Sequence, residues 1–191
     1  MLEKNLIKKL KKDYQTQEKE RRQIIRQANE ILFQSKKAIF SLHRNNNQEA
    51  DNKIKELTKI LKKMEKDFSP KRLHTEGAFQ AAAEEYVEAV CFQAIVKEKK
   101  IKKIKELNLN HYSYVGGICD LIGEMVRYGS NQVSQGNFKI VNKLKNQAQD
   151  IMAELANFDF TGFLRTKYDQ ANGHLRKLEQ MSYDIKLKEK E

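Results

Sequence analysis

A single proline, Pro70, stands in a chain of 191 residues, and on both sides of it apolar residues return at every third or fourth position. That spacing lines one face of an α-helix, whereas strands need alternation and β-branched or aromatic runs that are missing here. Eight glycines and a composition rich in lysine, glutamate, glutamine, alanine and leucine leave few points where a helix must break. An all-α fold follows, and the length suits one helical domain over residues 1–191.

Leu2, Leu6, Leu10 and Tyr14 are four apart, and Ile24, Ala28, Ile31 and Leu32 resume the stripe. They predict a long first helix from Leu2 to Arg44, with polar Gln15–Glu20 as the place where it would be interrupted. Asn45-Asn46-Asn47 is a turn signal, and a second helix carrying Ile54, Leu57, Ile60, Leu61 and Met64 ends before Ser69-Pro70. A third helix is expected over Thr75–Lys99, followed by a lysine-rich connection through Lys97–Lys105 and Asn108–Asn110. The fourth, Tyr112 to Val133, is apolar on most of its circumference and belongs in a core. Gly136-Asn137 separates it from a fifth helix with Val141, Leu144, Ala148, Ile151 and Leu155. After a corner at Phe158–Gly162, a sixth helix shows Leu164, Tyr168, Ala171, Leu175, Leu178 and Ile185. That stripe is close to a heptad, so the helix should pack on another helix or subunit. Lys186–Glu191 reads as a frayed, charged tail.

The 37 basic side chains exceed the 26 acidic ones and leave a formal charge of +11. Such a surplus favours a polyanionic partner, nucleic acid or an anionic membrane surface, over the alternative of merely solvated lysine faces. The amphipathic helices lack a basic, aromatic-anchored face, which makes the membrane the weaker choice. No apolar run approaches a membrane span and no signal-like N-terminus is present. Cys91 and Cys119 lie in apolar stretches without a CxxC pair, as buried free thiols of a reducing, cytoplasmic compartment would.

Some carboxylates stand where the pattern asks for core residues. Glu85 and Glu88, three apart, share a helix face with Ala81, Phe92 and Ile95; Asp120 and Glu124, four apart, stack between Gly117 and Arg127. A buried carboxylate requires a cation, a proton or a hydrogen-bonding partner. Salt bridges are the ordinary solution, and Arg127 could serve Glu124 or Asp120. Four acids on two apolar helices are harder to satisfy in that way, because like charges repel. A metal site is the alternative, and an all-oxygen set without histidine suits magnesium or manganese rather than zinc or copper. A ferritin-like di-iron bundle would need Glu-x-x-His repeats, and none occurs. The four histidines, His43, His74, His111 and His174, are scattered and read as surface or capping residues. No phosphate loop, zinc spacing or nucleophile elbow is present, and Gly116-Gly117 is better explained by close helix packing than by a nucleotide loop.

Glu85-Tyr86-Val87-Glu88-Ala89-Val90-Cys91-Phe92-Gln93 and the stretch from Tyr114 through Gly116-Gly117, Asp120 and Glu124 to Arg127 resemble the two acidic helix motifs of the translin family, on its translin-associated factor X side. Ser35–Arg44 is similar to the end of that family's long first helix, while Leu164–Asp169 and Tyr183-Asp184-Ile185 look more like translin itself. The resemblance covers residues 18–187. It implies a translin-like bundle of six or seven helices assembled into hollow octamers, and magnesium-dependent endonucleolytic cleavage of single-stranded RNA. Glu85, Glu88 and Asp120 would then be metal and catalytic residues, with Glu124 a fourth member. Features of both family subunits in one chain imply a self-sufficient homo-oligomer of an archaeal type. The histidine-bearing segment before the acidic motif in relatives is not matched by Leu73–Phe79, so no RNA-binding role passes to His74.

Arg21, Arg22, Arg26, Lys36, Lys37, Arg44, Lys71 and Arg72 are the candidate RNA contacts, by their number on and near the first helix. The rival reading is a non-catalytic, nucleic-acid-binding or scaffolding oligomer whose acids are only structural.

Overall fold

The computed structural model describes residues 2–188, and within them every regular element is a helix. The seven helices are α1 (Lys4–His43), α2 (Asn47–Phe68), α3 (Pro70–Leu73), α4 (Gly77–Val96), α5 (His111–Ser134), α6 (Lys139–Leu155) and α7 (Gly162–Lys188).

At 40 residues, α1 is about 60 Å long at the usual rise. It runs unbroken through Gln15–Glu20, the polar stretch at which the pattern left an interruption open. Gln, Glu and Lys hold a helix well, and the Thr16 hydroxyl donates to the Lys12 carbonyl one turn back. Only the second half of α1 is covered, from Ile24 through Ala28, Ile31 and Ala38 to Leu42; Leu2, Leu6, Leu10 and Tyr14 stay exposed. Asn45, at φ 59°, reverses the chain, and the Asn46 side chain accepts from the Glu49 N–H to start α2.

Ser69-Pro70 both ends α2 and begins a helix that the periodicity could not reveal. Ser69 takes a positive φ of 62° and caps the single turn α3, with Pro70 in the first position, where its missing N–H costs nothing. Helix α4 is shorter at both ends than Thr75–Lys99. The Thr75 hydroxyl closes a turn onto the Arg72 carbonyl, and Glu98, at φ 56°, ends the helix with Lys99 N–H donating to the Ala94 carbonyl. Ile104 and Leu107 pin the lysine-rich connection to the core.

In space α1 packs on α2 and α4, α4 on α5, α5 on α7, and α6 on α7 and α5. The apolar circumference of α5 is thereby used from several sides, and Cys119, Leu121, Ile122 and Met125 are buried. Each such fully covered aliphatic side chain contributes about 1.5–3 kcal/mol. The heptad of α7 is realised at Leu164, Ala171, Leu178 and Ile185, all buried. The expected fraying from Lys186 does not occur before Lys188, and residues 189–191 lie outside the described ones. Among the described residues no helix is long and apolar enough to cross a membrane. Both cysteines are buried and unpaired.

Candidate active site

Two glycines bring the acidic helices together. A Cβ on Gly117 would lie 2.6 Å from the Glu84 carbonyl oxygen and 2.9 Å from the Glu88 nitrogen, so α5 rides directly on the α4 backbone. At Gly116 the space of a side chain is filled by the Glu84 carboxylate, 2.3 Å from where the Cβ would be. The glycine pair is therefore a packing device.

This contact places Glu85, Glu88, Asp120 and Glu124 around one open cavity of about 760 Å³, with α1 forming the opposite lip through Phe33, Lys36, Lys37 and Phe40. Their environments differ. Glu88 is 6% exposed, and its carboxyl is pushed up to about 9 by burial and by the charges of Glu85, Asp120 and Glu124. Glu85 is raised by burial and by the same acidic neighbours, with partial relief from the Lys36 ammonium at 3.9 Å. Asp120 has a firm partner, since Lys167 on α7 approaches it at 2.6 Å and Glu84 at 2.5 Å. Burial disfavours the Lys167 charge, but its hydrogen bonds to Asp120 and Glu84 outweigh this and hold the ammonium above its ordinary pKa. Glu84 is raised by burial, and by Asp120 beside it, in spite of Lys167.

Arg127 turns to Glu124, at 3.7 Å, and leaves Asp120 to Lys167. His43 also meets Glu124: its Nε2 pairs with the carboxylate while the ring is buried against Phe92 and Tyr128. The reading of all four histidines as surface or capping residues fails here. His43 follows buried Ile39 by four positions and so falls on the core stripe of α1. His174 also lines the cavity, packed against Gly123, with burial and Lys177 depressing its pKa. His74, by contrast, does sit at the end of α3, with Nε2 2.9 Å from the Asn108 carbonyl oxygen.

The carboxylates share the cavity without closing on a common point: among the described residues, no three His, Cys, Asp or Glu side chains are gathered as a ready-made metal site. Their chemistry nevertheless suits a hard divalent ion. All are oxygen donors, and Glu88, without a hydrogen bond or ion pair among the described residues, is in a setting that disfavours its own charge.

A Translin family profile matches residues 19–189. The chain belongs to the translin family. It is 30% identical over 150 residues to the translin-associated protein X homolog of Schizosaccharomyces pombe, a match covering 71% of this chain and 64% of that protein. An uncharacterized protein of Methanocaldococcus jannaschii is 27% identical over 163 residues, covering 82% of this chain and 72% of its own length. Among solved structures, apo-NeC3PO superposes with a TM-score of 0.84 at 27% identity, covering 96% of this chain and 98% of that one. AfC3PO in complex with duplex RNA gives 0.83 at 21% identity, covering 95% and 96%, a likeness of fold.

Of the candidate RNA contacts on this translin-family chain, the structure brings Lys36 and Lys37 to the cavity. Arg44 lies beyond them, over the Phe40 ring. Arg21 and Arg72 are engaged elsewhere, both with Glu76 and additionally with Glu18 and Glu20 respectively. Arg22, Arg26 and Lys71 are exposed and do not line the cavity. Sequence reasoning passed over Glu84 and Lys167. Glu84 had a signal, being four before Glu88 and opposite the glycine pair, whereas Lys167 had none, because only the packing of α7 on α5 brings it to Asp120.

Proposed function

We propose that this protein is a metal-dependent endoribonuclease that acts on RNA, single-stranded by preference, as a closed homo-oligomer in the cytoplasm. The observation that carries the reading is one cavity with four carboxylates on its floor and two lysines on its lip. Glu85, Glu88 and Asp120 would hold magnesium or manganese, with Glu124 as fourth member; such an ion supplies polarisation of the phosphate and a bound water of lowered pKa. Lys36 and Lys37 are placed to take backbone phosphates. Glu124, held by His43 and Arg127, is in a position to orient the attacking water. Lys167 holds Asp120 and Glu84 on one ammonium.

RNA as the partner is supported by family membership, by the +11 charge and by the RNA held in the AfC3PO complex of the same fold. Self-association is supported by the exposed row Leu2, Leu6, Leu10 and Tyr14, and an octamer is the expected size. One observation favours a second reading, a non-catalytic RNA-binding oligomer: Asp120 and Glu84 are already satisfied by Lys167. The deciding experiment incubates purified protein with labelled single-stranded RNA, with and without magnesium. Cleavage that requires the ion and disappears in Glu85→Gln supports the enzyme. RNA bound but left intact at saturating magnesium would leave the second reading.

A further inference from the structure

The lip of the cavity holds two large rings that the fold does not use. Phe33 and Phe40 are 53% and 49% exposed, although burying a phenylalanine is worth about 1.5–3 kcal/mol to a fold. They are seven apart on α1, hence on one face and about 10 Å from each other. Between them stand Lys36 and Lys37, and one turn further Arg44, so aromatic and cationic groups alternate along the same surface. Lys37 Nζ lies 4.3 Å from the Phe33 ring centroid, and the Arg44 guanidinium 5.3 Å from that of Phe40. Both rings line the cavity whose floor is Glu85, Glu88, Asp120 and Glu124.

That acidic floor makes a difficulty for any polyanion, because four carboxylates face the two lysines and Arg127 of the lining. Charge by itself cannot hold an RNA backbone there. Flat apolar rings can, since a nucleobase stacks on an aromatic face without meeting the carboxylate field, and the neighbouring ammonium groups are then at hand for the flanking phosphates. A duplex keeps its base faces inside its own stack and has none to offer. We infer that Phe33 and Phe40 are stacking platforms for two unpaired bases of one RNA strand, and that they determine selection of single strands at this site.

The inference rests on RNA being the ligand of the cavity but not on cleavage, so binding is measured with the metal chelated. Three probes of equal length are compared by fluorescence anisotropy: single-stranded RNA, the same ribose-phosphate chain without bases, and duplex RNA. The wild type should prefer the first to the second. Phe33→Ala and Phe40→Ala should each reduce affinity for the base-bearing strand about tenfold, leaving the abasic and duplex probes unchanged. Phe→Tyr at both positions should keep the preference, and Phe→Leu, apolar but not flat, should lose it. Leucine variants that bind like wild type overturn the inference, as do alanine variants with undiminished preference. Loss of affinity together with a changed particle mass in light scattering also overturns it, since the rings would then be a contact between copies. A wild type that prefers single strands yet never cuts them with magnesium defeats the nuclease reading and leaves this one standing.

Discussion

Glu88 and Lys167 belong to the same site and should answer neutralisation in opposite ways. Glu88 has a native carboxyl near 9, well above its unfolded value, so the folded protein keeps a proton that the unfolded chain releases. The stability this group confers is fully present below its unfolded pKa and is lost as pH rises towards 9. At about 1.36 kcal/mol per unit, the loss is on the order of 3 kcal/mol by pH 7. Glu88→Gln should therefore raise the metal-free melting temperature at neutral pH and flatten its decline between pH 5 and about 9; an unchanged pH profile would remove Glu88 from the cluster. Asp120 and Glu84 instead share the Lys167 ammonium. Lys167→Met strands both acids in a half-buried position and should cost on the order of 3 kcal/mol at neutral pH in denaturant titrations. Full stability in that variant would mean that water, not Lys167, satisfies the pair.

At the scale of elements, the site depends on how closely α5 rides on α4. Gly117→Ala places a methyl group against the Glu84 carbonyl and the Glu88 backbone nitrogen, groups that cannot swing aside as a side chain end could. The helices must part, at about 1–3 kcal/mol, and the two acidic pairs part with them. The proposed cleavage should fall more than the melting temperature alone would suggest, whereas Gly173→Ala, inside α7 with open space around the added carbon, should leave cleavage unchanged and raise the melting temperature slightly. Equal behaviour of the two variants would count against close packing as the role of Gly117.

For the whole molecule, the exposed first half of α1 is the feature that an isolated chain leaves unresolved. Leu6→Asp with Leu10→Asp introduces charge on that row without touching the buried half of the helix. Smaller particles in light scattering are expected at micromolar concentration, and an unchanged mass would show that the row serves something other than assembly. The net charge acts at the same scale. RNA affinity should fall steeply between low and moderate salt and vary little with base sequence, as phosphate contacts require. A salt-independent affinity would mean that the surplus of lysine and arginine is spent elsewhere.

Helical class, the turn at Asn45–Asn47, the break at Gly136-Asn137 and the heptad of α7 were all legible in the chain, because each depends on neighbours a few residues away. Misplaced acids were legible too, since a carboxylate on an apolar stripe conflicts with its own local pattern. Periodicity is silent about which distant side chain answers that conflict. Lys167 comes to Asp120 from 47 positions away, and His43 reaches Glu124 across 81. The same limit applies to the basic residues: Arg21 and Arg72 looked as available as Lys36 and Lys37 until Glu76 was found beside them. Local spacing determines which face of a helix a residue occupies. Only tertiary packing decides what stands opposite that face, and the pairing of each charge follows from that distance.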